Sequence, residues 1–317
     1  MLSDGLGPFF RTNLCKKIIE SKVPYTLQFD ETGNSQGIKQ CDVLLRFWSA
    51  ERGEIVTHFF KAIMFGHAPE EDVAEELLNK DGIKLPLHQL MSIGSDGPNV
   101  NKNIWNLVDQ HLKSNGLQGL FEFTPCTLHV VHNAFRKGID VFGEDVEGLA
   151  VDLFQWFKSH PCQKEDFAQT LENMDLTGDV FVRHVQCRWL TLIPALERLR
   201  NNWDACKQYF LKDLPQVSQN NRTSHFLKKN ERYKRICQGL SSHEIYIQLL
   251  FIISCGPLFN PFLKLFQKQK PLIHQLHSES TDLLRKVMNR FVKDDLVRNA
   301  CSKKLIDIDL DKRIYKT

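Results

Sequence analysis

The strongest constraint on this chain is a change in the period of its apolar residues. Up to about residue 123, short alternating runs of strand-forming residues recur between turn signals. From about Ala150 onward that period of two is gone, and apolar residues return only at helical spacing. Such a chain is α/β at its front and helical behind. The pattern predicts an α/β region over 1–149, a helical domain over 150–293 and a charged, frayed tail over 294–317.

Within the first region, Phe9, Phe10, Leu14, Ile18 and Ile19 predict an opening helix that ends before Pro24. Tyr25 to Phe29 alternates as a strand with Asp30 at its end, and Gly33, Asn34 and Gly37 signal a turn. Cys41 to Trp48 and Ile55 to Phe65 are further strands joined by the hairpin turn Glu51-Arg-Gly-Glu54. An acidic first turn at Glu70, Glu71 and Asp72 opens a short helix to Leu78. A fourth strand, Leu90 to Ile93, runs into Ser95-Asp96-Gly97-Pro98. A helix follows over Ile104 to Leu112, then a fifth strand over Leu120 to Phe123 and a helix from near Cys126. Three strands on short turns, then a strand after each of two helices, is the order of an RNase H-like sheet, though other mixed sheets share it.

In the second region, Leu153, Trp156 and Phe157 share a helix face, and Trp189 to Cys206 forms a long apolar stripe. Pro194 within it predicts a kink or a late helix start. Gln216 to Asn221 is a polar linker, and three further helices cover Ile245 to Ile253, Phe259 to Phe266 and Leu272 to Phe291.

Bulk properties narrow the function classes. A formal net charge of +3 is too small to announce nucleic-acid binding by itself, so any DNA contact must come from local patches. The 9 cysteines lack framework spacing and no signal segment opens the chain, so reduced thiols and a nuclear or cytosolic, not secreted, location are expected. The longest apolar stretch, Ile245 to Phe259, is interrupted by Gln248, Ser254, Gly256 and Pro257 and is expected to be too short to cross a membrane.

Four pieces occur in order: Phe29-Asp-Glu-Thr-Gly-Asn34, Ser95-Asp-Gly-Pro-Asn99, Cys126-x-x-His129 and Arg188-Trp189. Together they resemble the hAT superfamily of cut-and-paste DNA transposases and the host proteins domesticated from them. The resemblance runs over nearly the whole chain. It implies a partial RNase H-like mixed sheet followed by an all-α insertion domain. It also implies that Asp30 and Asp96 match the first two acids of the family's Asp-Asp-Glu set. Carboxylates that converge from neighbouring strands suit Mg²⁺ or Mn²⁺, which take oxygen ligands and bridge to phosphate. Two such ions activate a water and stabilise the leaving oxygen of a phosphodiester. Each aspartate also has a plainer reading, as a strand terminus and as a turn residue before Gly97-Pro98.

Cys126 and His129 match the family's Cys-x-x-His signature beside the acids. Their spacing would also allow a zinc site with His184 and Cys187, but nothing in the sequence brings the two pairs together, and no structural zinc is expected. The resemblance gives Arg188 and Trp189 the pair that holds a flipped base at a DNA end, by stacking. Trp189 equally reads as the start of the apolar stripe. Arg222, Lys228, Lys229, Arg232, Lys234 and Arg235 form a basic cluster that either tracks phosphates or makes a solvated helix face.

Two parts of the family pattern are not matched. The third acid is a Glu following the inserted helices, whereas Lys293 to Thr317 offers Asp294, Asp295, Asp307, Asp309 and Asp311 but no Glu. Glu197, Glu244 and Glu279 fall within the insertion and match no motif. The family's dimerisation region and its leading zinc finger are likewise unmatched. The expectation is a transposase-derived protein, non-catalytic alone, with residual DNA binding. The alternatives are an active transposase, if a longer form restores the third acid, and a relic without selected function.

Overall fold

The computed structural model describes residues 5–33, 37, 39–64, 69–78, 85–96, 99–123, 126–176, 181–185, 191–217, 227–268, 270–312 and 315. The chain is mixed α/β, with one four-stranded sheet and many helices. It divides into two compact units, Met1–Val131 with Phe266–His274, and His132–Leu265 with Gln275–Thr317. The first division, after Val131, falls within the helix Thr127–Phe142.

In the first unit, α1 (Gly7–Ser21) precedes β1 (Tyr25–Gly33), β2 (Lys39–Ser49) and β3 (Glu54–Met64). Next come α2 (Glu70–Leu77), β4 (Leu90–Gly94), α3 (Asn99–Ser114) and the start of α4 (Thr127–Phe142). The sheet order is β3-β2-β1-β4, with β1 antiparallel to β2 and parallel to β4. Alternation sets the core. Tyr25, Leu27 and Phe29 of β1, with Cys41, Val43, Leu45 and Phe47 of β2, form an inward row. It packs with Ile18 of α1, Leu77 of α2 and Ile104, Val108 and Leu112 of α3.

Three local features depart from the sequence pattern. The buried residues of α1 are Cys15 and Ile18, and Phe9 and Phe10 are 58% and 64% exposed, so the expected apolar face is rotated away from the core. In β3 the register with β2 shifts between Val43 and Leu44, so Phe60 and Lys61 are buried in succession. The buried Lys61 Nζ is satisfied by Glu76 Oε2 at 3.0 Å and Glu76 O at 2.7 Å. Leu120 to Phe123 is not a regular strand, but the Phe121 N–H donates to Met91 O at 2.9 Å, laying this segment along β4. Asp109 anchors it by accepting from the Leu120 N–H at 2.8 Å.

The second unit continues α4 and adds α5 (Glu144–Ser159), α6 (Pro161–Asn173), α7 (Leu192–Asn201) and α8 (Trp203–Gln208). A π-helical turn, Tyr209–Asp213, follows. Beyond it lie α9 (Leu214–Val217), α10 (Glu231–Ser241), α11 (His243–Cys255), α12 (Asn260–Phe266) and α13 (Ile273–Met288). Pro194 sits in the first turn of α7, where its missing N–H costs nothing, so the stripe begins late rather than kinking. The wider π turn places Phe210 O to accept the Tyr233 hydroxyl at 2.9 Å. Trp156 packs between Phe210 and Tyr233 at the centre of this unit.

Among the described residues after Ala150 no strand forms, and Val292 and Tyr315 make an isolated bridge. The tail expected to fray instead carries α14 (Asp294–Val297) and α15 (Ser302–Ile306), because Val292, Val297, Ala300 and Leu305 bury against Met288. The expected membrane-incompetent stretch is also longer than its sequence suggested. His243–Phe266 is a helical run of 24 residues whose most apolar 18-residue stretch has mean hydropathy 1.7, long and apolar enough to cross a membrane by length and composition alone. A 3₁₀ turn over Gly256–Leu258, with Pro257 in it, separates α11 from α12 within this run. Leu249, Ile252, Phe262 and Leu263 of this run are buried.

Candidate metal and nucleic-acid site

Asp30 and Asp96 are brought together by strand register. The parallel ladder pairs Leu27 with Ile93 and Gln28 with Gly94. Two residues further on come Asp30, still within β1, and Asp96, two residues past the end of β4. Asp30 does not end its strand as the sequence suggested. β1 continues to Gly33 in its ladder with β2, where Asp30 faces Asp42.

The electrostatics agree with this proximity. Burial raises the Asp30 pKa, and the Asp96 carboxylate raises it further; His129 and the Glu31 N–H lower it, and Asp42 raises it. Three carboxylates therefore repel one another here, with His129 as the nearby group of opposite tendency. Neighbouring Cys41 is pushed up to about 12 by burial and then by Glu31, Asp42 and Asp30. Asp42 is engaged by Gln40 Nε2 at 2.6 Å. Asp96 Oδ1 accepts from Asn101 Nδ2, and the Ser95 hydroxyl donates to Asp96 O at 3.1 Å.

Asn101 is a site residue that the sequence reading missed. It is buried in the first turn of α3 and fixes one oxygen of Asp96, Oδ1. Its signal was a short amide side chain five residues after Asp96 at a helix start. Cys126 precedes α4, and His129 lies exposed in its first turn, within electrostatic reach of Asp30.

The other candidates are elsewhere or outside the described residues. Arg188, Trp189, Arg222 and Cys187 are outside them. His184 has Nε2 2.7 Å from Glu147 Oε1 and Nδ1 2.9 Å from Thr191 Oγ1, so both ring nitrogens are already engaged. In the basic cluster, Arg232 and Arg235 hold Asp152, at 3.2 Å and 2.7 Å, and Lys234 pairs with Glu231 at 2.7 Å. Lys228 and Lys229 are exposed with no acid partner among the described residues. Glu197, Glu244 and Glu279 lie on α7, α11 and α13. Among the described residues, no three His, Cys, Asp or Glu side chains group as a metal-ligand set.

No protein-family model matches the chain, and no curated protein matches it in sequence.

Proposed function

We propose that the first unit is the front of an RNase H-like sheet of hAT-transposase descent, and that Asp30 and Asp96 are a divalent-cation site that binds nucleic acid without cutting it. The observation that carries this reading is that the Asp96 carboxylate, two residues past the end of β4, lies within electrostatic reach of Asp30 on the parallel neighbour β1, in a sheet of order β3-β2-β1-β4. Parallel strands flanked by an antiparallel hairpin bring the ends of the first and fourth strands side by side, as an RNase H-like sheet requires.

The donor set fits Mg²⁺ or Mn²⁺. Burial and then the like charge of Asp96 raise Asp30, and a cation would relieve that repulsion. A bound divalent ion would supply Lewis-acid charge to a phosphate oxygen. Asp30 and Asp96 would hold it. Asn101 would keep Asp96 oriented, and His129 is placed to donate to a phosphate or to a water beside Asp30.

Cleavage needs more than this pair. Among the described residues, the remaining carboxylate that faces Asp30 in the ladder is Asp42, tied to Gln40. Two ligands leave ions hydrated and their spacing loose, so in-line geometry is not held. DNA is the partner of this reading, through the cation and through Lys228 and Lys229, and a nuclear or cytosolic location follows from it.

The test is Mn²⁺ titration followed by cleavage of a labelled hairpin-ended duplex. Wild-type chain binds Mn²⁺ and retains DNA in its presence, Asp96→Asn loses both, and neither nicks. If wild type and Asp96→Asn bind Mn²⁺ alike, the site is wrong. Mn²⁺-dependent nicking that disappears in Asp96→Asn makes the chain an active nuclease instead.

A further inference from the structure

The first unit has a second concave feature that the proposed function does not use. Between the N-terminal part of α1 and the β2–β3 hairpin lies a cleft of about 1110 Å³, ample for a ligand of tens of atoms. Phe47 and Phe60 line it from the core, and Phe10 and Phe59, 64% and 58% exposed, line it from the surface. This is the side of α1 that its exposed phenylalanines leave uncovered.

The charges around the cleft are unbalanced. Arg11, Lys17, Arg52, Lys61 and Glu51 all line it. Lys17 is neutralised by Glu51 at 3.2 Å, and Lys61 by Glu76 at 3.0 Å. Arg11 and Arg52 have no acid partner among the described residues. His58 also lines the cleft, stacked on Phe47 at 5.8 Å. Burial, then the Arg52 and Lys17 charges, press its pKa down.

We propose that this cleft binds an anionic amphiphile, with a single acidic head taken by Arg11 and Arg52 and an apolar body laid against Phe10, Phe47 and Phe59. Guanidinium groups pair with carboxylate, sulfate or phosphate heads through paired N–H donors. The aromatic walls bury the body, in the usual division of a ligand site into apolar lining and a few polar anchors. A nucleic-acid strand is the poorer fit, because it needs a basic track and only two uncompensated cations are present.

The probe is dodecanoate, below its micellar concentration, against dodecan-1-ol, by isothermal titration with the full chain. Dodecanoate is expected to bind at least tenfold more tightly than the alcohol. The double variant Arg11→Gln, Arg52→Gln should lose that tenfold and leave dodecan-1-ol binding unchanged. Phe59→Ser should weaken both ligands, and Arg200→Gln, in the second unit, should weaken neither. Equal binding of acid and alcohol, absence of binding by both, or an equal loss in Arg200→Gln overturns the proposal. Loss of both ligands in the double variant overturns it too, because the arginines would then not be reading charge. Mn²⁺ binding at Asp30 and Asp96 is a separate readout, so failure here leaves that site standing.

Discussion

Removing the Glu147 carboxylate should cost the second unit a large share of its stability. Glu147 sits in the first turn of α5 with its side chain 2% exposed, a position where a carboxylate survives only if its charge is answered. Arg136 of α4 donates to both of its oxygens, and His184 Nε2 lies 2.7 Å from Oε1. The far side of that imidazole meets the Thr191 hydroxyl at 2.9 Å, and the same hydroxyl accepts from the Val185 N–H at 3.0 Å. Glu147→Ala leaves the buried His184 imidazole without its Nε2 partner and Arg136 with Asp140, at 3.2 Å, as its remaining acid. Breaking a buried ion pair from one side costs about 3–5 kcal/mol. Against a total of roughly 5–15 kcal/mol that is severe. For a unit of this size it lowers Tm by roughly 6–20 °C. Urea denaturation followed by helical circular dichroism measures it, with an unchanged slope and a lower midpoint. The pH dependence is a second, independent reading. Burial works against ionisation of Glu147, yet the hydrogen bonds from His184 and Arg136 and the Arg136 charge hold its pKa below the ordinary 4.5. A depressed folded pKa gives stability that is fully present above the unfolded value and lost as pH falls through the folded one. The gap between wild type and Glu147→Ala should therefore be widest near neutrality and close on the acid side of pH 4.5. A cost below about 1 kcal/mol, within the range of an exposed pair, would refute the claim that this charge is structural.

Three further outcomes are expected. Asp109→Ala leaves the buried Leu120 N–H without its acceptor, which costs about 1–3 kcal/mol, and amide exchange at Leu120 and Phe121 should speed up ahead of the rest of the sheet. Gly256→Ala sets a methyl 2.1 Å from Ile193 Cδ1 and 2.5 Å from its Cγ1, so it should destabilise by about 1–3 kcal/mol, and adding Ile193→Val should recover part of the loss. Mn²⁺ affinity should fall on acidification at a higher pH than an unperturbed aspartate, of pKa 3.8, would give, because the Asp30 pKa is raised. Asp42→Asn should move that midpoint down by removing one like charge, as read by Mn²⁺ titration across pH 3.5–6 (about the carboxylate range).

The parts of the fold that were legible are those where one chemical signal decides the outcome. Tyr25, Leu27 and Phe29 alternate without interruption, and so do Cys41, Val43, Leu45 and Phe47, so both strands and their inward faces follow from the residues. The β2–β3 hairpin follows from Gly53, which adopts a φ of 63° and donates to Ser49 O at 2.8 Å. Where two signals compete, the reading failed. Phe9 and Phe10 are more apolar than Cys15, yet Cys15 and Ile18 share the face that meets the sheet. Three residues apart on a helix, these two side chains point the same way, and geometry outranks hydrophobicity. Leu120 to Phe123 has the composition of a strand, but Asp109 holds the segment by a side chain, leaving Phe121 to make the backbone bond to β4. In the tail, charged residues dominate the composition while Val297, Ala300 and Leu305 recur at intervals that let each turn inward.

The same distinction separates the residues of the candidate site. Asp30 and Asp96 could be picked out because both match the acids of the resembled motif, and parallel neighbouring strands carry them to one place. Asn101 could not, since its value lies in the turn that points its amide back at Asp96, and that turn is set by where α3 begins. Glu147 was hidden more thoroughly. In the sequence it belongs to an acidic first turn with Glu144 and Asp145, which is what a solvated helix start looks like. Its partners lie 11 residues before it and 37 after it, one of them on a segment that is not helical. Periodicity reports which apolar residues go inside. It carries no trace of a charge that goes inside with them, because what makes that burial tolerable is a partner brought from far along the chain. The basic cluster shows the same blindness from the other side: Arg232 and Arg235 stand about eighty residues from Asp152, the carboxylate that claims both guanidinium groups.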